Sequence, residues 1–167
     1  MRDELQKQLF QNYPELFRYK TDPTYAGSVY FSVDCGDGWF TIIDELCRVI
    51  KNIHDNQVSH FNYKINKGEA KEEDRPQHPV IGQIKEKFGG LRVYMDNTND
   101  EIEGAIHMAE NMSFKTCDTC GLPGKVGGSG WMTTLCDTCR LDSHKRRSYS
   151  GPFSVAAGQL KIGDSNG

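Results

Sequence analysis

The stretch Val80-Ile-Gly-Gln-Ile-Lys-Glu-Lys-Phe-Gly-Gly-Leu-Arg-Val-Tyr-Met95 decides the fold. Ile84, Glu86 and Phe88 alternate, Gly89-Gly90 interrupts, and Leu91, Val93 and Met95 resume. A period of two predicts strands, and the Gly pair predicts a two-residue hairpin turn with positive φ at both positions. Helices flank it. Before it, Trp39, Ile42, Ile43, Leu46, Cys47, Ile50 and Ile53 recur at three- and four-residue spacing, which predicts a helix to about residue 55, capped by Asp37 or Gly38. After it, residues 99–113 read as a helix. Thr98 and Glu101 fit a capping box, Asp100, Glu101 and Glu103 suit the first turn, and Ile102, Ala105, Ile106, Ala109 and Met112 form the stripe expected to be buried.

Further out the signals are shorter. Residues 2–11 predict a helix with Leu5, Leu9 and Phe10 on one side, interrupted by Pro14, and residues 15–17 can add a turn. Residues 21–27 read as a loop, 28–33 as a strand, 35–38 as a turn and 67–79 as a charged loop. Residues 57–66 alternate through Phe61, Tyr63 and Ile65 and predict another strand. The expected fold is α+β: a small, largely antiparallel sheet with packed helices, plus a C-terminal zinc-ribbon-like module. The expected partition is a body over 1–113, the module over 114–141, and a tail over 142–167, first basic and then flexible.

Charge follows that partition. Through Ser113 there are 13 Lys or Arg against 19 Asp or Glu, a net of −6; thereafter 7 stand against 4, a net of +3. A general nucleic-acid binder carries a stronger basic excess. The first residues are charged where a signal peptide needs an apolar run, and no apolar stretch reaches the roughly 18 residues that cross a bilayer. These features place the chain in a cytoplasm, away from membranes, where thiols stay reduced and paired cysteines favour a metal over disulfides.

Cys117-Asp-Thr-Cys120 and Cys136-Asp-Thr-Cys139 are separated by 15 residues, a spacing typical of a four-cysteine Zn²⁺ site. Two cysteines three positions apart on a tight turn aim both sulfurs at one point, and two such knuckles complete a tetrahedron. No position is left open, so the ion is expected to be structural. Residues 122–135 are Gly-rich, with too few apolar side chains to order themselves. Binding the metal supplies that stability. Trp131 is expected to pack against the helix ending at Met112. Disulfides and a redox dithiol are the competing accounts of the four sulfurs. Cys47 reads as a core residue and Cys35 as a turn thiol.

Other candidates have plainer explanations beside them. Asp34-Cys35-Gly36-Asp37 could hold a divalent cation, or Asp34 could end a strand and Asp37 cap a helix. Asp34 or Asp37 with Glu86 would be the carboxylates of a metal-dependent nuclease, if they cluster. Arg140, with Lys145, Arg146 and Arg147 after His144, forms a basic cluster that could touch nucleic-acid phosphates or an acidic partner, or be a solvated helix end. His107 reads as a boundary residue. No nucleophile or hydrolase motif is present, so the chain reads away from an enzyme.

Gly36-Asp-Gly-Trp39, Lys85-Glu-Lys-Phe-Gly-Gly-Leu-Arg92, Cys117-x2-Cys-Gly-x-Pro-Gly124 and Gly130-Trp-x2-Thr-Leu-Cys-x2-Cys139 together resemble a family of small bacteriophage and prophage proteins, over about residues 13–140. The resemblance implies a phage-encoded protein in the host cytoplasm. There it would bind and modulate a host protein or complex of nucleic-acid processing or defence. A nucleic-acid-binding zinc-ribbon module and a metal-dependent nuclease are the alternatives, and the oligomeric state is open.

Overall fold

The alternation around Gly89 builds the hairpin at the centre of the molecule. A computed structural model describes residues 1–22, 24, 33–128 and 130–149, with side chains to Ser143. Its elements are α1 (Asp3–Asn12), α2 (Arg18–Thr21), β1 (Val33–Asp34), α3 (Phe40–Asn66), β2 (Val80–Lys87), β3 (Gly90–Asp96), α4 (Asp100–Ser113), β4 (Lys125–Gly127), β5 (Thr133–Leu135) and α5 (Asp137–Tyr149). The fold is α+β. One sheet has the order β1-β2-β3, with β2 and β3 antiparallel and β1 parallel to β2, and a second sheet pairs β4 with β5 antiparallel. Of the strand expected over 28–33, only Val33 lies within the described residues. No helix among the described residues is long and apolar enough to cross a membrane.

Several expectations are corrected. Residues 57–66 are not a strand but the second half of α3. Phe61 and Ile65 are four apart, a separation shared by both periods. Tyr63 decides between them: it is 55% exposed while Phe61 is 5% exposed, whereas a strand would place both on one face. The hairpin turn is Phe88-Gly89, one residue earlier than the Gly pair suggests, because Lys87 pairs with Gly90. Both turn residues take positive φ, 54° and 81°, as a type I′ turn requires. Gly90 is instead a strand residue, and its small size serves packing. The Phe114 ring lies over it, and a Cβ there would sit 2.6 Å from Cε1. The cap of α4 is Asn99, whose side chain accepts from the Ile102 N–H at 3.0 Å, so the box expected from Thr98 and Glu101 does not form. Asn is at least as good an N-cap as Thr. Met112 is 50% exposed, and Ser113 takes the last buried position of that stripe.

Ile84, Leu91 and Val93 pack with Leu9, Phe17, Trp39, Ile43, Ile50 and Ile102 in one core. The register pairs Ile84 with Val93 and Glu86 with Leu91, so these share the sheet face turned to the helices. The free edge of β3 is closed by α4. Ser113 Oγ accepts from the Leu91 N–H at 2.8 Å, and Glu110 Oε1 accepts from the Val93 N–H at 3.3 Å. An edge covered in this way offers no template for another strand. Ser113→Ala leaves the Leu91 N–H buried without that acceptor. Urea unfolding should then show a loss of about 1–3 kcal/mol with an unchanged slope.

Candidate metal centre

The first knuckle is built by backbone bonds around Gly121, whose φ of 77° lets the chain reverse. The Gly121 N–H donates to Cys117 O at 2.9 Å, and the Cys117 N–H donates to Leu122 O at 2.7 Å. The second knuckle joins β5 to α5. There the Cys139 N–H donates to Cys136 Sγ at 3.4 Å, and the Arg140 N–H donates to Cys136 O at 3.0 Å. The β4–β5 ladder brings the two together by pairing Lys125 with Leu135, just beyond one knuckle and just before the other.

The four sulfurs lie within 4.8 Å of one another and could hold one metal ion. Cys120 Sγ and Cys136 Sγ are 3.6 Å apart. Tetrahedral sulfurs about 2.3 Å from a zinc would be separated by roughly 3.8 Å. A disulfide needs about 2.05 Å, and all six cysteines are free thiols. Burial raises the Cys117 thiol, but amides of Cys136, Cys120 and Thr119 directed at its sulfur outweigh it and bring the group down to about 7. Amides that favour the thiolate also ease its charge once a cation is bound.

The cluster is locked to the body by contacts that the sequence did not announce. Asp118, inside the first tetrapeptide, accepts from Gly36 N–H through Oδ1 at 2.6 Å and from Gly38 N–H through its carbonyl at 2.8 Å. Burial raises the Asp118 carboxyl. Trp39 Nε1 donates to Thr116 O at 2.8 Å, and the buried Thr134 hydroxyl donates to Gly89 O at 2.5 Å. Asp137, the matching residue of the second tetrapeptide, is exposed in the first turn of α5. The repeat is therefore chemical at the cysteines and not at the residues between them. Trp131, expected to join the two parts, is 67% exposed instead. The Asp118 and Thr134 side chains and the Trp39 indole make that junction.

The remaining candidates are placed as follows. The Arg140 guanidinium donates to Lys125 O at 2.6 Å and Thr133 O at 3.5 Å, pinning α5 to the ribbon. Lys145, Arg146 and Arg147 lie on α5, which continues through the basic cluster; their side chains are outside the described residues. Asp37 accepts from the Arg2 N–H at 2.7 Å and pairs with its guanidinium at 2.5 Å. Glu86 Oε1 accepts from the Gly89 N–H at 2.6 Å, and Asp34 stands opposite Lys85 in the β1–β2 register. Among the described residues, the four cysteines are the group whose ligand atoms converge, and these carboxylates do not join one. His107 is exposed rather than at a boundary.

Cys35 and Cys47 are both buried in the core, Cys47 as its spacing implies and Cys35 although it reads as a turn thiol. Burial pushes the Cys35 thiol up to about 12 and raises that of Cys47 as well. A thiol reagent at pH 8 should therefore distinguish the cluster from the core: none of the six cysteines reacts in metal-loaded protein, the four of the cluster react after chelation, and Cys47 reacts only after denaturation. Reaction of Cys47 on chelation alone would contradict its place in the core.

These elements define an α+β protein with a ribbon-like module built on a four-cysteine cluster that could hold a metal ion. No protein-family model matches the chain, and no match is found among curated proteins or solved structures.

Proposed function

We propose that the chain is a zinc-stabilised binding protein whose tetrathiolate centre is structural. The observation that carries this is the convergence of four sulfurs, from the first and last residues of two tetrapeptides, with backbone amides turned to them. Four thiolates fill a tetrahedron and leave no site for water or substrate, which suits a folding ion and not a Lewis acid. The sulfur donors favour zinc over hard cations. Of the carboxylates a nuclease would require, Asp34 or Asp37 with Glu86, Asp37 is engaged with Arg2 and Glu86 with the hairpin turn.

The resemblance to phage and prophage proteins supports a setting in a host cytoplasm and a host protein as partner. Elemental analysis of protein purified without added metal tests the centre, with one zinc per chain expected. Affinity capture from host lysate tests the partner. A specific host protein should be retained by zinc-loaded chain and lost by chain stripped of metal. Failure to retain one, together with a hydrolytic activity of the purified chain, overturns the binding-protein reading.

A further inference from the structure

The hairpin has a second face, turned away from the core. The pairs Gln83–Tyr94, Lys85–Arg92 and Lys87–Gly90 lie on it. Cations and aromatic rings alternate there. Lys85 Nζ is 4.9 Å from the Tyr94 ring centre, Lys87 Nζ is 5.5 Å from that of Phe88, and Arg92 Cζ is 5.6 Å from that of Phe114. Tyr94 and Phe88 are 45% and 72% exposed. The surface continues onto the ribbon. A Cβ at Gly89 would lie 3.1 Å from Val126 Cγ1 and 3.6 Å from Thr133 backbone atoms, and exposed Trp131 is two residues from Thr133.

Phe88 is the telling residue. A type I′ turn wants Asn, Asp or Gly, and a bulky side chain at a φ of 54° is a genuine outlier. The turn therefore carries backbone strain and an exposed ring that contributes nothing to the core. Strain of this kind concentrates where a side chain must be presented.

We infer that this face binds single-stranded nucleic acid, with bases stacked on Phe88 and Tyr94 and phosphates on Lys85 and Lys87. Stacking rings beside a cationic track are what a single strand requires, because every base has a π-face and every link a charge. Acidic neighbours set the limits of the track. Asp34 stands opposite Lys85 in the sheet, and Glu110 is 3.7 Å from Arg92, so Arg92 serves chiefly to hold Phe114. Glu86 belongs to the other face. The inference gives the proposed binding protein a ligand class.

Fluorescence anisotropy with labelled oligonucleotides of about 15 residues, one DNA and one RNA, tests it on full-length protein of verified metal content. Binding is expected at about 50 mM salt and should weaken as salt rises. Lys85→Gln with Lys87→Gln should flatten the logarithmic salt slope by about 1.4. Phe88→Gly should weaken binding at least about fivefold. The same variant should raise the melting temperature by about 2–4 °C, because the strained residue is gone. Binding of either oligonucleotide supports the inference, and the preferred one separates DNA from RNA. It is overturned if neither binds, if Phe88→Gly binds as wild type does, or if polyglutamate competes equally well, which would mark a surface for acidic proteins. None of these failures alters the metal content on which the zinc proposal stands.

Discussion

Cys136→Ser is expected to release the metal and unfasten the ribbon, leaving less than about a tenth of an equivalent bound. Structural zinc contributes on the order of 10 kcal/mol to small modules, and serine replaces the thiolate with a neutral hydroxyl. β4 and β5 carry three residues each, with few buried apolar groups to hold them without the ion. The consequence extends into the body, because Gly36 and Gly38 donate to Asp118 and Trp39 donates to Thr116. Hydrogen exchange should show loss of protection over residues 114–140 and at the Gly36 and Gly38 amides. The Leu91 and Ile102 amides should stay protected. A fall in melting temperature of about 10 °C corresponds to losing roughly 3–5 kcal/mol of docking in a chain of this size. In a Trp131→Phe background, Trp39 emission should shift to the red as its buried ring meets water. Unchanged zinc by elemental analysis would refute the ligand assignment. Retained protection at Gly36 and Gly38 would refute the coupling.

What the sequence revealed depended on how far apart the interacting residues stand. The cysteine cluster was legible because each half is a tetrapeptide whose geometry is local. The hairpin was legible from its alternation, although its turn was placed one residue late. Two adjacent glycines look like one turn, yet Gly90 is small because of Phe114, 24 positions on. The second half of α3 was misread because Phe61 and Ile65 satisfy a strand and a helix alike. The bonds of Trp39 to Thr116 and Gly36 to Asp118 span 77 and 82 positions, and no local pattern announces them. Trp131 misled for the opposite reason. A tryptophan in a Gly-rich strip invites a packing role, but the junction is made by backbone amides, the Asp118 and Thr134 side chains and the indole of Trp39 instead.

The Gly36-Asp-Gly-Trp39 string gains its physical meaning from that junction, and Gly38→Ala tests it most sharply. On local grounds the substitution should stabilise. Gly38 lies in a short 3₁₀ turn leading into α3, it does not have positive φ, and alanine is the better helix former by about 1 kcal/mol. The docked knuckle reverses the sign. An added Cβ would overlap Cys117 O and Gly121 N and sit 2.7 Å from Cys120 N, all backbone atoms of the turn that presents two sulfurs. A metal-clamped turn cannot yield as a side chain can, so the expected cost is at least about 3 kcal/mol. Gly90→Ala is the comparison. It also clashes, but with the Phe114 ring, which can swing aside, so a loss nearer 1 kcal/mol is expected. The metal separates docking from ligation. Gly38→Ala keeps all four thiolates and should retain nearly one zinc while losing protection at Gly36, whereas Cys136→Ser loses both. If Gly38→Ala proves as stable as wild type, the knuckle does not press on this turn.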